Sequence, residues 1–176
     1  MLSCRAGGLS HSIVAFENGY LFVTNTEPEK RKLKFADFDG MIAEARSLCE
    51  NGYTSNGNWN LGQAAFHVSE WARFPLDGFP SPALPGAEPL VAPEVKRKIF
   101  SEGFEGGMAT DPGTVAEPDA VSDSDGVDQL EKVANRILAF DGESFPSPFF
   151  GKLDREAMVT LVLRHAEHHL GYLEPN

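Results

Sequence analysis

Asp154-Arg155-Glu156-Ala157-Met158-Val159-Thr160-Leu161-Val162-Leu163-Arg164-His165-Ala166-Glu167-His168-His169-Leu170 reads as the body of one helix, expected over about Asp154 to Leu173. Met158, Leu161 and Val162 recur with the 3.6-residue period of a helix that buries one face. The same stripe then runs into His165, His169 and Tyr172. At ~100° per residue, with His165 at the origin, His169 falls near about +40° and His168 near about −60°. His165 and His169 therefore share the inward face, and His168 lies at its edge. The stripe changes from aliphatic to imidazole along one line.

Three further helices are expected upstream. Helix one, about Asp37 to Asn51, carries Phe38, Ile42, Ala45 and Cys49, with Met41 and Leu48 beside them, and Gly52 follows as a stop. Helix two opens at Asn60, where Gln63 three residues later completes a capping box, and is expected to end before Pro75. Helix three, about Val127 to Phe140, buries Leu130, Val133, Ala134, Ile137 and Leu138. Between helices two and three, residues 76–126 hold seven of the 12 prolines and one short helical candidate at Glu94 to Phe100. So long a connection suggests a crossover or a lid, with Phe79, Phe100 and Phe104 as its apolar contacts. Asp123-Ser124-Asp125-Gly126 hints at a calcium loop. However, Val121 and Lys132 stand where that loop needs acids, so these residues are read as capping helix three. Phe-Pro-Ser-Pro, at 79–82 and again at 145–148, marks stiff extended exits from helices two and three. Near the start, Asn18-Gly19 between two β-prone runs predicts an N-terminal β-hairpin.

The chain has 176 residues, a length suited to one domain with a real core, and a net charge of −11. That charge argues against a nucleic-acid surface, which needs clustered Lys and Arg. No apolar run approaches the roughly 20 residues that span a bilayer, so no membrane is expected. Two cysteines, Cys4 and Cys49, with no Cys-x-x-Cys, exclude a zinc ribbon. The N-terminus lacks a secretory core, and the expected location is cytoplasmic.

His67 stands on helix two, and the helical period groups it with Gln63, Glu70, Trp71 and Phe74. Two helices can thus supply three imidazoles, the ligand set of a catalytic metal site with an open position. The competing reading is that histidines near a helix C-terminus simply answer the macrodipole. Glu70 is the candidate catalytic group, either orienting His67 or acting as a general base; the competing reading is a solvated surface carboxylate. Trp71 and Phe74 read as core, and Trp59 as a packing anchor at the entrance of helix two. Three imidazoles suit zinc, nickel, copper or iron; zinc or nickel is the expected divalent ion.

Three stretches carry a family resemblance. Arg31-Lys32-Leu33-Lys34-Phe35 precedes helix one. Trp59-Asn60-Leu61-Gly62-Gln63 leads to His67 and then Gly78-Phe79-Pro80. Phe149-Phe150-Gly151-Lys152-Leu153 leads to His165-Ala166-Glu167-His168-His169-Leu170. Over about residues 31–173 the chain resembles the DinB/YfiT-like superfamily, in particular its bacterial subgroup named only as a domain of unknown function. The resemblance implies an all-α four-helix bundle of up-down-down-up topology, with the long connection between helices two and three. Residues 1–30 would be an extension and 31–176 the bundle domain. It also implies a divalent ion held by one His on helix two and a His-x-x-x-His pair on helix four, positions occupied by His67, His165 and His169. His168 is not carried over. Many relatives have Arg-Gly-Gln after the last ligand, where this chain has Leu170-Gly171-Tyr172.

The expected function is a metal-dependent enzyme acting on a small molecule, like the thiol-dependent transferases and proposed hydrolases among characterised relatives. A low-molecular-weight thiol is the candidate substrate, and a second copy of the chain the candidate protein partner, as a homodimer. The alternative is a non-catalytic bundle whose metal staples the helices or whose surface binds a partner.

Overall fold

Asp37 starts the first helix by accepting the backbone N–H of Gly40 at 2.8 Å, the local bond that an N-cap acid supplies. In a computed structural model, which describes residues 13–17, 20–24, 29–80, 92–106 and 110–176, that helix (α1) runs Phe38–Asn51. Four more follow: α2 Leu61–Asp77, α3 Pro93–Glu102, α4 Asp123–Ala139 and α5 Arg155–Leu170. A short 3-10 turn, Pro112–Thr114, lies between α3 and α4. The described chain is mostly helical, and no described helix is long and apolar enough to cross a membrane.

Among the described residues, six short strands make three antiparallel pairs. β1 (Ile13–Glu17) pairs with β2 (Tyr20–Thr24), with Glu17 opposite Tyr20. These are the two arms of the expected hairpin, and its Asn18-Gly19 turn lies outside the described residues. β3 (Tyr53–Ser55) pairs with β6 (Leu173–Pro175), and β4 (Phe145–Ser147) with β5 (Gly151–Leu153). The last two pairs amend the all-α expectation. The last helix stops at Leu170, short of the expected Leu173, and Leu173 instead opens β6. The extended exit expected at 145–148 is β4; its counterpart at 79–82 runs out of the described residues after Pro80.

Two helix boundaries also differ. α2 continues through Pro75, because a proline in the last turn forfeits only one backbone bond and Gly78 N–H closes the end on Phe74 O at 2.8 Å. α4 begins four residues before Val127. Ser122 accepts the N–H of Asp125 at 3.1 Å, and Asp123 and Asp125 sit inside the first turn, where the macrodipole favours negative charge.

The core lies where α2 packs along α4 and α5, with α1 against α4 and α5 and α3 against α5. Met41, Leu48, Leu61, Leu130, Ile137 and Met158 are fully enclosed there. Leu138, expected inside, is 48% exposed: it falls about 90° from the centre of the α4 stripe. α2 meets the start of α4 backbone to backbone at two glycines. A Cβ on Gly62 would meet Val121 O at 2.3 Å, and one on Gly126 would meet Gly62 O at 2.7 Å. Asp123 of α4 then accepts the N–H of Gly62 at 2.8 Å, so one helix supplies the cap of the other.

Gly62→Ala and Gly126→Ala should each destabilise the protein by at least about 1–3 kcal/mol in denaturant unfolding, the usual cost of overpacking. Gly40→Ala, whose Cβ would meet only the Asp37 side chain at 3.4 Å, should cost nothing. Equal effects at all three positions would refute the close-contact assignment.

Candidate metal centre

The expected capping box opens α2. Asn60 accepts Gln63 N–H at 2.8 Å, and Gln63 Oε1 accepts Asn60 N–H at 3.2 Å. This fixes the first turn, and one turn further on His67 points inward, 3% exposed. On α5, His165 and His169 are four apart and face α2, each keeping part of its surface accessible. The candidate ligand atoms of His67, His165 and His169 all lie within 4.8 Å of one another. Their ring centroids stand 4.7–4.9 Å apart and the ring planes cross at 69–73°, close to threefold symmetry.

Two details favour a cation at the centre. First, His165 Nε2 and His169 Nε2 are 3.1 Å apart. Two lone pairs that close repel, so either one ring donates to the other or both share a cation; tetrahedral Zn–N bonds of ~2.0 Å put nitrogens about 3.3 Å apart. Second, His67 Nδ1 lies 3.1 Å from the carbonyl oxygen of Thr114. A carbonyl can only accept, so Nδ1 carries the proton and the Nε2 lone pair is left free, as in metal-bound imidazoles oriented from behind. The Thr114 carbonyl thus has the orienting role considered for Glu70. Glu70 instead places both oxygens on Arg73, at 2.5 and 3.1 Å.

Burial makes these rings reluctant bases. Desolvation lowers His67 to about 4, against the pull of its bond to Thr114. His165 and His169 are pushed well below the ordinary imidazole value, first by desolvation and then by their histidine neighbours. All three are neutral at pH 7 and offer lone pairs without first losing a proton. His168 is also lowered to about 4 by desolvation and by Lys30. Its Nδ1 lies 3.0 Å from Phe104 O and 3.3 Å from Lys30 Nζ, and it stands outside the converging trio.

The long connection does reach this site. Thr114 is completely buried beneath His67, Gln63 Nε2 donates to Ala116 O at 2.8 Å, and Phe104 packs on His165 with centroids 5.0 Å apart. Of the three phenylalanines expected there, only Phe104 touches the histidines; Phe79 packs on Phe74 and Phe100 on Phe150. Trp59, read above as a packing anchor, is a wall of the site. It stacks on His169 at 5.0 Å and 22° and lies 4.8 Å from His67. The β3–β6 pair explains its arrival: Asn56 N–H bonds Tyr172 O, Gly57 lies over the Tyr172 ring, and Ser55 Oγ holds Trp59 O. Neither Trp59 nor the Thr114 carbonyl had a local sequence signal, since one depends on a non-local strand pair and the other on a group every residue possesses.

The chain belongs to the family described as protein of unknown function (DUF1569), whose profile matches residues 27–176. No curated protein and no solved structure matches it. The family therefore brings no activity with it.

The depressed imidazole basicity sets the pH response. Unfolded histidines take up protons below about pH 6.5, while folded His67 and His168 resist down to about 4. The unfolded state then binds more protons, so stability is whole above about 6.5 and falls as pH drops towards 4. Each such histidine contributes up to about 1.4 kcal/mol per pH unit. Denaturant midpoints of metal-free protein at pH 7, 6 and 5 should decline steadily, and His67→Gln should flatten the slope. A midpoint constant from pH 7 to 5 would contradict the desolvated trio.

Proposed function

We propose that the protein binds a divalent metal ion through His67, His165 and His169 and uses it in chemistry on a small molecule. The observation that carries the reading is the near-threefold convergence of three neutral imidazoles, one with its outer nitrogen fixed by a backbone carbonyl. The order of α1, α2, α4 and α5, with α3 in the long connection, supports the DinB/YfiT-like arrangement of a four-helix bundle in up-down-down-up order. Residues 31–176 would form that domain.

A divalent ion held there supplies Lewis acidity, which activates a small acidic ligand such as a thiol or water. The protein's own contributions are separate from that. His67, His165 and His169 provide three ligands and leave a side open. Trp59 and Phe104 shield the trio from bulk water, which strengthens any charge interaction inside. The trio carries no negative charge, so an anionic small molecule is the preferred companion of the ion. The thiol substrate suggested by the superfamily resemblance meets that requirement, and a reducing compartment suits it. Glu70 would have to leave Arg73 before acting as a base.

Single alanine variants test the ligand set. His67→Ala, His165→Ala and His169→Ala should each lose most bound metal by elemental analysis, whereas His168→Ala should keep it. Full occupancy in His165→Ala would sink the assignment. Metal at about 100-fold over its dissociation constant should stabilise the wild type by about 2.7 kcal/mol. Chelation should leave helical circular dichroism intact, because the aliphatic stripes make the core without the ion. Collapse of that signal on gentle chelation would make the ion a structural staple instead.

A further inference from the structure

The segment from Thr110 to Thr114, which holds the 3-10 turn Pro112–Thr114, bonds two side chains of α2 that stand one helical turn apart: Thr114 meets His67 and Thr110 meets Trp71. Thr114 accepts from His67 Nδ1 through its carbonyl. Its hydroxyl, buried with the rest of the side chain, donates to Asp111 O at 2.7 Å. The Thr114 hydroxyl proton is thereby used, so at its 3.1 Å contact with Thr110 Oγ1 it must accept. Thr110 in turn accepts the indole N–H of Trp71 at 3.1 Å. Every donor direction follows: Trp71 N–H to Thr110, Thr110 O–H to Thr114, Thr114 O–H to Asp111 carbonyl. The Asp111 carboxylate closes the turn by accepting Gly113 N–H at 2.7 Å.

We propose that Thr114 is the positioning residue of the metal centre, its hydroxyl holding its own carbonyl where it selects the Nδ1–H tautomer of His67. This role rests on the metal reading above. A carbonyl on a flexible loop would let His67 exchange tautomers and turn its protonated nitrogen inward, where it cannot bind an ion. The hydroxyl relay removes that freedom, and Trp71 ties the relay to the helix that carries His67. By reciprocity, anything that loosens the turn lowers metal affinity, and bound metal steadies the turn by the same factor.

The test uses full-length protein and cobalt(II) as the probe ion. In metal-free wild type, ¹⁵N NMR of the histidine rings should show His67 in the Nδ1–H form; the Nε2–H form would overturn the proposal. Thr114→Val should weaken cobalt binding about 10–100-fold, shift the cobalt visible absorption and mix the two His67 tautomers, while Thr114→Ser restores all three. Should Thr114→Val fail to fold by circular dichroism, Thr110→Val carries the test, with an expected loss of about 10-fold. Absence of cobalt binding by wild type would overturn the metal reading and this role with it. Wild-type binding with unchanged affinity in the folded threonine-to-valine variants would overturn the role alone.

Discussion

The backbone contact between Gly62 and α4 is the constraint on which the candidate site depends. It brings α2 close enough that Asp123 can cap it across the helix interface, and Tyr53 Oη accepts the N–H of Leu61 beside it while donating to the same carboxylate. With one side of α2 held against α4, its other side faces α5, and His67 is delivered to the level of His165 and His169. A side chain on either glycine would push α2 outward, and a shift of an ångström is a large fraction of the spacing within the trio. The segment before α1 and the strand after α5 fix the other partner. Arg31 N–H bonds Gly171 O at 2.8 Å, Glu167 accepts the N–H of Phe35 and pairs with Arg164, and β6 pairs with β3. The last turn of α5 is thereby tied down where the histidines lie.

What could be read in advance was local. The Asn60–Gln63 box, the α1 stripe and the α5 stripe each rest on residues three or four apart, which a sequence displays directly. The same period put His165 and His169 on one face and left His168 at its edge. Other features needed partners distant in the chain. Leu138 looked like core because it is apolar, yet its helical angle turns it outward. Pro75 looked like a stop, yet the final turn had little left to lose. The acids at 123 and 125 looked like flanking caps, while one of them also caps another helix. Trp59 reaches the histidines only because two three-residue strands pair, and runs that short carry no usable pattern.

The site owes its character to desolvation. Three imidazoles in water would each titrate near neutrality, and a cluster of them would be partly charged and mutually repelling. Enclosed by Trp59, Phe104 and the turn at Thr114, they are held neutral, so the repulsion disappears and three lone pairs remain. That arrangement weakens stability in acid, and a metal-binding role gives the cost a reason. The rest of the core gives no comparable cause for gathering three imidazoles at one point, since aliphatic side chains at those positions would pack without it.

X-ray absorption at the metal edge of protein loaded with one equivalent of zinc tests the central claim most directly. Three imidazole nitrogens at about 2.0–2.1 Å with one further light ligand are expected, and that last ligand should be replaced when a small thiol is added. A shell of oxygens alone, or four imidazoles with no exchangeable ligand, would contradict an open three-histidine centre.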